Sequence, residues 1–378
     1  VREKAGISGG RFPAPDLVTM RERFVINGKM VTEEEFLWAF RMVKEELACL
    51  PVELAEAAYH PTFFEYLFFM AMVLFEKYGV EYVVLETGLG GRLDATNVVD
   101  EKKLCILTSI GYDHMEYLGE TLPEITAEKA GILRGGVPVV YPDRQEQVSE
   151  VIENCARKIG TKTFPLKKSA IKEIKIKNKT IDFSLNLHYY DYIGFTVSTS
   201  ALYQVENASL AVSALTLLQE ERITLSVLQD GIRETFWEGR MEEIRPSMYV
   251  DGAHNVDGIR AFLETVKLRP CAGRRILLYS TVRDKQYQEV AALLAGTALF
   301  NEICLTALRG ERALPLGQLV DTFGQYTGTP IKAYDTIEAA LKMLLEQKEE
   351  RDEVYIVGSL YLVGEVKALL RSLKDDQF

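Results

Sequence analysis

Between residues 33 and 141 short β-rich runs and helix-length segments are interspersed, and this mixture constrains the fold more than any other feature of the chain. Tyr82–Leu85, Leu104–Ser109 and Val137–Tyr141 read as strands, while Glu33–Glu46, Thr62–Lys77 and Leu122–Leu133 read as helices. Parallel strands need crossover connections that helices supply, so the pattern predicts an α/β protein with a mainly parallel sheet. Thr121-Leu122-Pro123-Glu124 has the form of a capping box, in which a threonine hydroxyl and a glutamate three residues on satisfy orphan amides at a helix start. That box places Lys129 inside a helix.

From Lys167 to Ser200 the residues alternate, as in KEIKIKNKTIDFSLNL and YIGFTVSTS, which predicts an antiparallel hairpin or small sheet. A helical stretch follows from Gln204 to Glu220, and the pattern breaks at Phe236-Trp237-Glu238-Gly239-Arg240. A second β/α series then runs through Met248–Val250, Arg275–Tyr279, Ile303–Leu305 and Val354–Val357. The expected division is therefore residues 1–240 and 241–378. No internal repeat of solenoid length is present.

The 44 lysines and arginines face 55 acids, a net charge of −11, which argues against a general nucleic-acid binder because backbone affinity rests on a basic surface. The five cysteines, at 49, 105, 155, 271 and 304, show no metal-ligand spacing, and their odd number fits reduced thiols in a cytoplasm. Tyr66–Phe75, the longest greasy stretch, is too short to span a bilayer, and no signal peptide opens the chain. A cytoplasmic protein without a membrane partner is expected.

Three stretches carry chemistry. In LETGLGGRLDATN the glycines fall at 88, 90 and 91, and Leu93 stands where a dinucleotide fingerprint needs its third glycine. What remains is Glu86 at the carboxyl end of a strand, where open α/β sheets place ligands and where one carboxylate suits Mg²⁺. A solvated acid beside a tight turn explains this stretch equally well. The next strand ends in GYDHMEYLG, with Asp113 and His114 at the corresponding end, so Glu86 and His114 are candidates to face one ion; alone, His114 reads as a loop residue. In AEKAGIL, Lys129 sits on an apolar-flanked helix; a desolvated lysine loses its proton readily and can then act as a nucleophile or take up CO₂ as a carbamate, whereas a surface lysine does neither.

Together, ETGLGGRLDATN, TSIGYDHMEYLG, EKAGIL and GVPVV resemble the folylpolyglutamate synthase and dihydrofolate synthase branch of the Mur ligase superfamily. HPTFFEY at 60–66 is similar to the family's pterin-side segment, and YQVENA at 203–208 to its adenine-side helix, with Tyr203 where histidine is common. WEGRMEEI, DGAHN and VGSLYLVGEV resemble the domain junction, the first strand turn of the second domain and the final strand and helix. The resemblance implies a Mur-ligase-like central ATPase domain and a smaller Rossmann-like C-terminal α/β domain. It implies Glu86, His114 and carbamylated Lys129 as metal ligands, with Gln204, Asn207, Arg240, Asp251 and Asn255 on ATP. Lys129, Arg240 and His254 would be catalytic, and Phe63, Phe64, Glu65, Leu93, Asp94 and Ala95 would line the folate pocket. The implied reaction is ATP- and Mg²⁺-dependent addition of L-glutamate to a reduced folate, or to dihydropteroate, by a monomeric enzyme.

The chain departs from the family pattern near its start. A phosphate loop of the form G-T-x-G-K-G-S/T is expected there, but the only early glycine cluster is GISGG at 6–10, without the lysine and hydroxyl that grip phosphate. The metal-ligand serine of the family's T-S-P-H-L segment corresponds to Ala14. The chain, which opens on Val1, is read as beginning past that loop, so that the sheet lacks a central strand. A non-catalytic remnant that keeps only nucleotide or pterin binding is the alternative.

Overall fold

The computed structural model describes residues 1–50, 60–187, 190–283, 286–310 and 312–375. The chain divides into two compact units, Val1–Lys172 with Ser184–Phe195 and Glu206–Glu234, and Glu173–Phe183 with Thr196–Val205 and Thr235–Phe378. The long run of the second unit thus begins just ahead of the boundary expected near 240, and two upstream segments join it.

In the first unit, strands β1 (Gly9–Phe12), β2 (Val25–Ile26), β3 (Lys29–Met30) and β4 (Tyr82–Leu85) form one sheet in the order β3-β2-β1-β4. β1 and β4 are parallel, with Gly9 opposite Tyr82 and Phe12 opposite Leu85. β2 and β3 turn through Asn27 and Gly28, both with positive φ (47° and 76°), as a two-residue hairpin requires. Helices Glu33–Ala48 and Phe63–Lys77 each start with a capping box; the first buries Ala39 and Val43 and the second Phe68, Met70 and Leu74, in one core with Phe12 and Phe24.

A second parallel sheet follows, β5 (Cys105–Ile106), β6 (Val139–Asp143) and β7 (Thr163–Lys167), in that order. Helices Leu122–Ala130 and Glu146–Ile159 cover it, with Ile125 and Ile152 in its core. Among the described strands, β4 pairs only with β1 and β5 only with β6. Val83 and Val84, on opposite faces of β4, are 40% and 51% exposed, and Ile106 on β5 is 41% exposed. The run Leu104–Ser109 was expected to be a full strand; with a partner on one side only, it pairs over two residues.

Strands β8 (Ile171–Ile176), β9 (Ile181–Leu187) and β10 (Tyr190–Val197) form the expected small sheet, ordered β10-β9-β8.

The second unit holds β11 (Glu242–Arg245), β12 (Met248–Asp251), β13 (Arg275–Tyr279), β14 (Glu302–Thr306), β15 (Ile331–Tyr334) and β16 (Glu353–Val357) in a six-stranded sheet ordered β11-β12-β16-β13-β14-β15. Only β11 runs antiparallel to its neighbour. Inner strands of a parallel sheet are covered on both faces, which is why these read as nearly continuous apolar runs. Tyr355 stacks on Tyr249 with centroids 5.5 Å apart and meets Phe262 edge-on at 5.9 Å. No described helix is long and apolar enough to cross a membrane.

Candidate functional site

Glu86 follows β4 directly. Its amide donates to the Phe12 carbonyl (3.0 Å), and its Oε2 accepts the Ala14 amide (3.1 Å), so the backbone of Ala14 meets the acid although its side chain has nothing to coordinate with. The glycine-rich turn then closes on Asp94, whose Oδ2 accepts the amides of Gly88 (2.9 Å) and Leu89 (3.0 Å). Its Oδ1 accepts the Thr96 amide (3.0 Å) and hydroxyl (2.6 Å). Asp94, expected to line the folate pocket, is therefore occupied in shaping the loop.

The structure gives the glycines of this turn a reason within the protein. A Cβ on Gly91 would lie 2.7 Å from the Lys129 carbonyl oxygen and 2.8 Å from that of Glu128. The Arg92 amide donates to the same Glu128 carbonyl at 2.9 Å. The bare backbone thus docks the Glu86 turn onto the last turn of the Lys129 helix. That helix ends at Ala130, short of the expected Leu133, because Gly131 packs under Arg92, where a Cβ would be 2.4 Å from the arginine Cβ.

Lys129 is half-buried, and burial lowers its pKa while the nearby Asp113 carboxylate draws it back up. Asp113 Oδ1 accepts the His114 amide (2.9 Å) and lies 3.9 Å from His114 Nε2. His114 has left-handed backbone (φ 52°, ψ 38°), uncommon for a non-glycine residue, and heads the short helix Met115–Leu118. Among the described residues no group of three or more His, Cys, Asp or Glu side chains is placed to hold a metal ion.

Of the expected folate-pocket residues, Phe63 (64% exposed) and Leu93 (81%) present apolar surface to solvent. Phe64 packs against Phe12, with centroids 5.6 Å apart, and over Gly88. Glu65 spends its carboxylate on the capping box with Thr62 (2.7 Å), and Ala95 packs on the core. Asn207 is exposed on the helix Gln204–Leu217, which Gln204 opens.

In the second unit, Asp251 ends β12 and is 2% exposed. Its Oδ2 accepts the Tyr203 hydroxyl (2.6 Å) and the Met241 amide (3.0 Å), and its Oδ1 the Ala253 amide (2.8 Å). Burial pushes its carboxyl pKa up, while the Tyr203 hydrogen bond, the Arg240 charge and the two amides pull it down. Asp251, expected on ATP, is here a buried post that fixes the turn around Arg240. The Arg240 guanidinium lies over Gly252, where a Cβ would be 2.3 Å from Nη1. His254 Nδ1 is 2.8 Å from the Gly252 carbonyl oxygen, and Asn255 Oδ1 caps the helix Val256–Leu268 by accepting the Gly258 amide at 2.8 Å. The Ala14 amide on Glu86 and the Tyr203 hydroxyl on Asp251 escaped sequence reading, because neither pair has a spacing that a local motif would reveal.

Two family descriptions match the chain, the Mur ligase middle domain over residues 42–215 and the Mur ligase glutamate ligase domain over 239–360. A dihydrofolate synthase/folylpolyglutamate synthase of Bacillus subtilis is 31% identical over 98% of this chain and 85% of its own length. The structure of E. coli FolC in complex with DHPP and ADP superposes with a TM-score of 0.83 at 26% identity, over 98% of this chain and 84% of that one. A bifunctional folylpolyglutamate synthase/dihydrofolate synthase from Yersinia pestis, complexed with AMPPNP and a Mn ion, gives 0.81 at 26% identity with the same coverage. The chain belongs to the folylpolyglutamate synthase/dihydrofolate synthase family of Mur ligases.

Proposed function

We propose that this chain is an ATP-dependent ligase that joins L-glutamate to the carboxylate of a folate acceptor. The observation that carries this reading is the 31% identity to a dihydrofolate synthase/folylpolyglutamate synthase over 98% of the chain, which takes in the candidate residues of each unit. A carboxylate is a poor electrophile, so amide formation in water needs activation. Transfer of the γ-phosphoryl group of ATP gives an acyl phosphate; the α-amine of glutamate attacks its carbonyl, the C–O bond to phosphate breaks, and inorganic phosphate leaves with the electron pair. Positioning and electrostatic stabilisation are what a protein contributes to such transfers. Arg240 would offset phosphate charge, and Asn207, Gln204 and His254 would contact the nucleotide or its surroundings. Phe63 and Leu93 offer the apolar surface that a flat pterin would cover.

Glu86 and His114 fit a divalent cation, and Lys129, its ammonium already weakened by burial, is suited to take up CO₂ and add a carboxylate to that set. A bound Mg²⁺ or Mn²⁺ would offset charge on the transferring phosphates. Lys129→Ala is expected to lower turnover by about a hundredfold or more, with partial rescue by a small carboxylic acid. Unchanged turnover would remove Lys129 from the site.

The deciding experiment measures phosphate release with ATP, Mg²⁺, glutamate and either tetrahydrofolate or dihydropteroate. It is run on this chain and on a version extended at its start by a segment bearing G-T-x-G-K-G-S/T. Glutamate- and acceptor-dependent release is expected, and the acceptor that supports it identifies the substrate. An extended version that turns over neither acceptor overturns the reading.

A further inference from the structure

We propose that Lys367 is a positioning residue for Arg240, acting through Glu238 and Glu242. The proposal rests on the reading of Arg240 as a phosphate contact and goes past it by naming what holds the arginine in place. Lys367 lies on the helix Leu360–Asp375 and is 7% exposed. Its Nζ donates to both oxygens of Glu242 (2.9 and 2.8 Å) and to Glu238. Glu242 Oε2 in turn accepts the Gly239 amide at 2.7 Å. Two acids that bracket Arg240, two residues before and two after it, thus share one buried cation.

A guanidinium between two glutamates has an obvious alternative, which is to pair with them. Lys367 takes both carboxylates, and Arg240 Nη1 instead donates to the Gly239 carbonyl (3.2 Å), with its head over Gly252. The turn is held from its other side as well, by the Met241 amide on Asp251 (3.0 Å) and the Gly252 amide on the Gly239 carbonyl (2.8 Å). Gly239 and Met241 both have positive φ (66° and 46°), and a methionine keeps that conformation only where its surroundings fix it. A buried ammonium is costly unless paired, and losing the lysine would leave the Glu242 side chain, only 11% exposed, in the interior without its cation while it still holds the Gly239 amide.

The test compares the full chain with Lys367→Met, which keeps the stem, and Lys367→Arg, which restores the charge. Amide hydrogen exchange is expected to lose about tenfold or more protection at Gly239 and Met241 in the methionine variant, with Ile356 in β16 unchanged and the arginine variant rescued. Unchanged exchange at the turn, or an equal loss at Ile356, overturns the proposal. In a ligase assay the methionine variant is expected to raise KM for ATP about tenfold with KM for glutamate and acceptor unmoved, and to add nothing in an Arg240→Ala background. Additive effects also overturn it. If Arg240→Ala itself leaves KM for ATP unchanged, the reading of Arg240 fails, and the exchange data alone decide whether Lys367 holds the turn.

Discussion

β16 and β4 are both short, apolar and parallel-paired, yet every residue of β16 is buried while Val83 and Val84 of β4 are 40% and 51% exposed. The difference is one of neighbours: β16 lies between β12 and β13, and β4 has β1 alone among the described strands. Apolar sequence creates the capacity for burial, and the number of partners decides whether it is used. The same contrast separates the two candidate acids. Asp251 ends an interior strand and has its oxygens taken by three protein donors, whereas Glu86 ends an edge strand and remains exposed.

The largest effect should come from the interior sheet. Tyr355→Ala removes a fully buried ring stacked on Tyr249 and is expected to cost about 3–5 kcal/mol in denaturant unfolding. Gly91→Ala, which forces a methyl to within 2.8 Å of two helix carbonyls, should cost about 1–3 kcal/mol and lower ligase turnover by displacing the Lys129 helix. Retained turnover would show that the docking of the turn is incidental to the chemistry. Val84→Lys should stay within about 0.5 kcal/mol in this chain, because its side chain is half-exposed and a charged edge is well tolerated. In a version with an added strand beside β4 the same lysine should become strongly destabilising, and a large cost already in this chain would contradict the edge assignment.

The smallest effect concerns Glu220, which accepts the Tyr82 hydroxyl at the start of β4 (3.3 Å) and the Arg222 guanidinium (2.8 Å). Arg222 draws its carboxyl pKa down to about 2. The folded-state value lies below the unfolded one, so its contribution is complete above an ordinary carboxylate value of 4.5 and fades as pH falls toward about 2. Glu220→Gln should flatten that acid limb of a pH–stability curve slightly, and an unchanged limb would mean that the pairing lends β4 nothing.

Local chemistry was legible in the sequence where one segment suffices to satisfy itself. The capping box at Thr121 and Glu124 starts the Lys129 helix as expected, and β4 spans the predicted Tyr82–Leu85. Reading failed where a distant neighbour decides. Leu104–Ser109 has the composition of a full strand but pairs over only two residues, and the expected helix end at Leu133 yields to the packing of Gly131 under Arg92. Candidate site residues divide in the same way. Glu65, Asp94 and Asn255, expected at the site, make local contacts within three to six residues, in a cap, a loop and a cap, of the kind a single segment can reveal. Lys367 stands 129 residues from Glu238, and no periodicity connects them.

The last of the described strands is also an inner strand of its sheet. β16 separates β12 from β13, so during synthesis the ribosome delivers β12 through β15 before the piece that joins them exists. Before β16 is made the second unit can form only the partial sheets β11-β12 and β13-β14-β15, which β16 then joins. A growing chain therefore carries two open strand edges, on β12 and on β13, until β16 arrives to cover both.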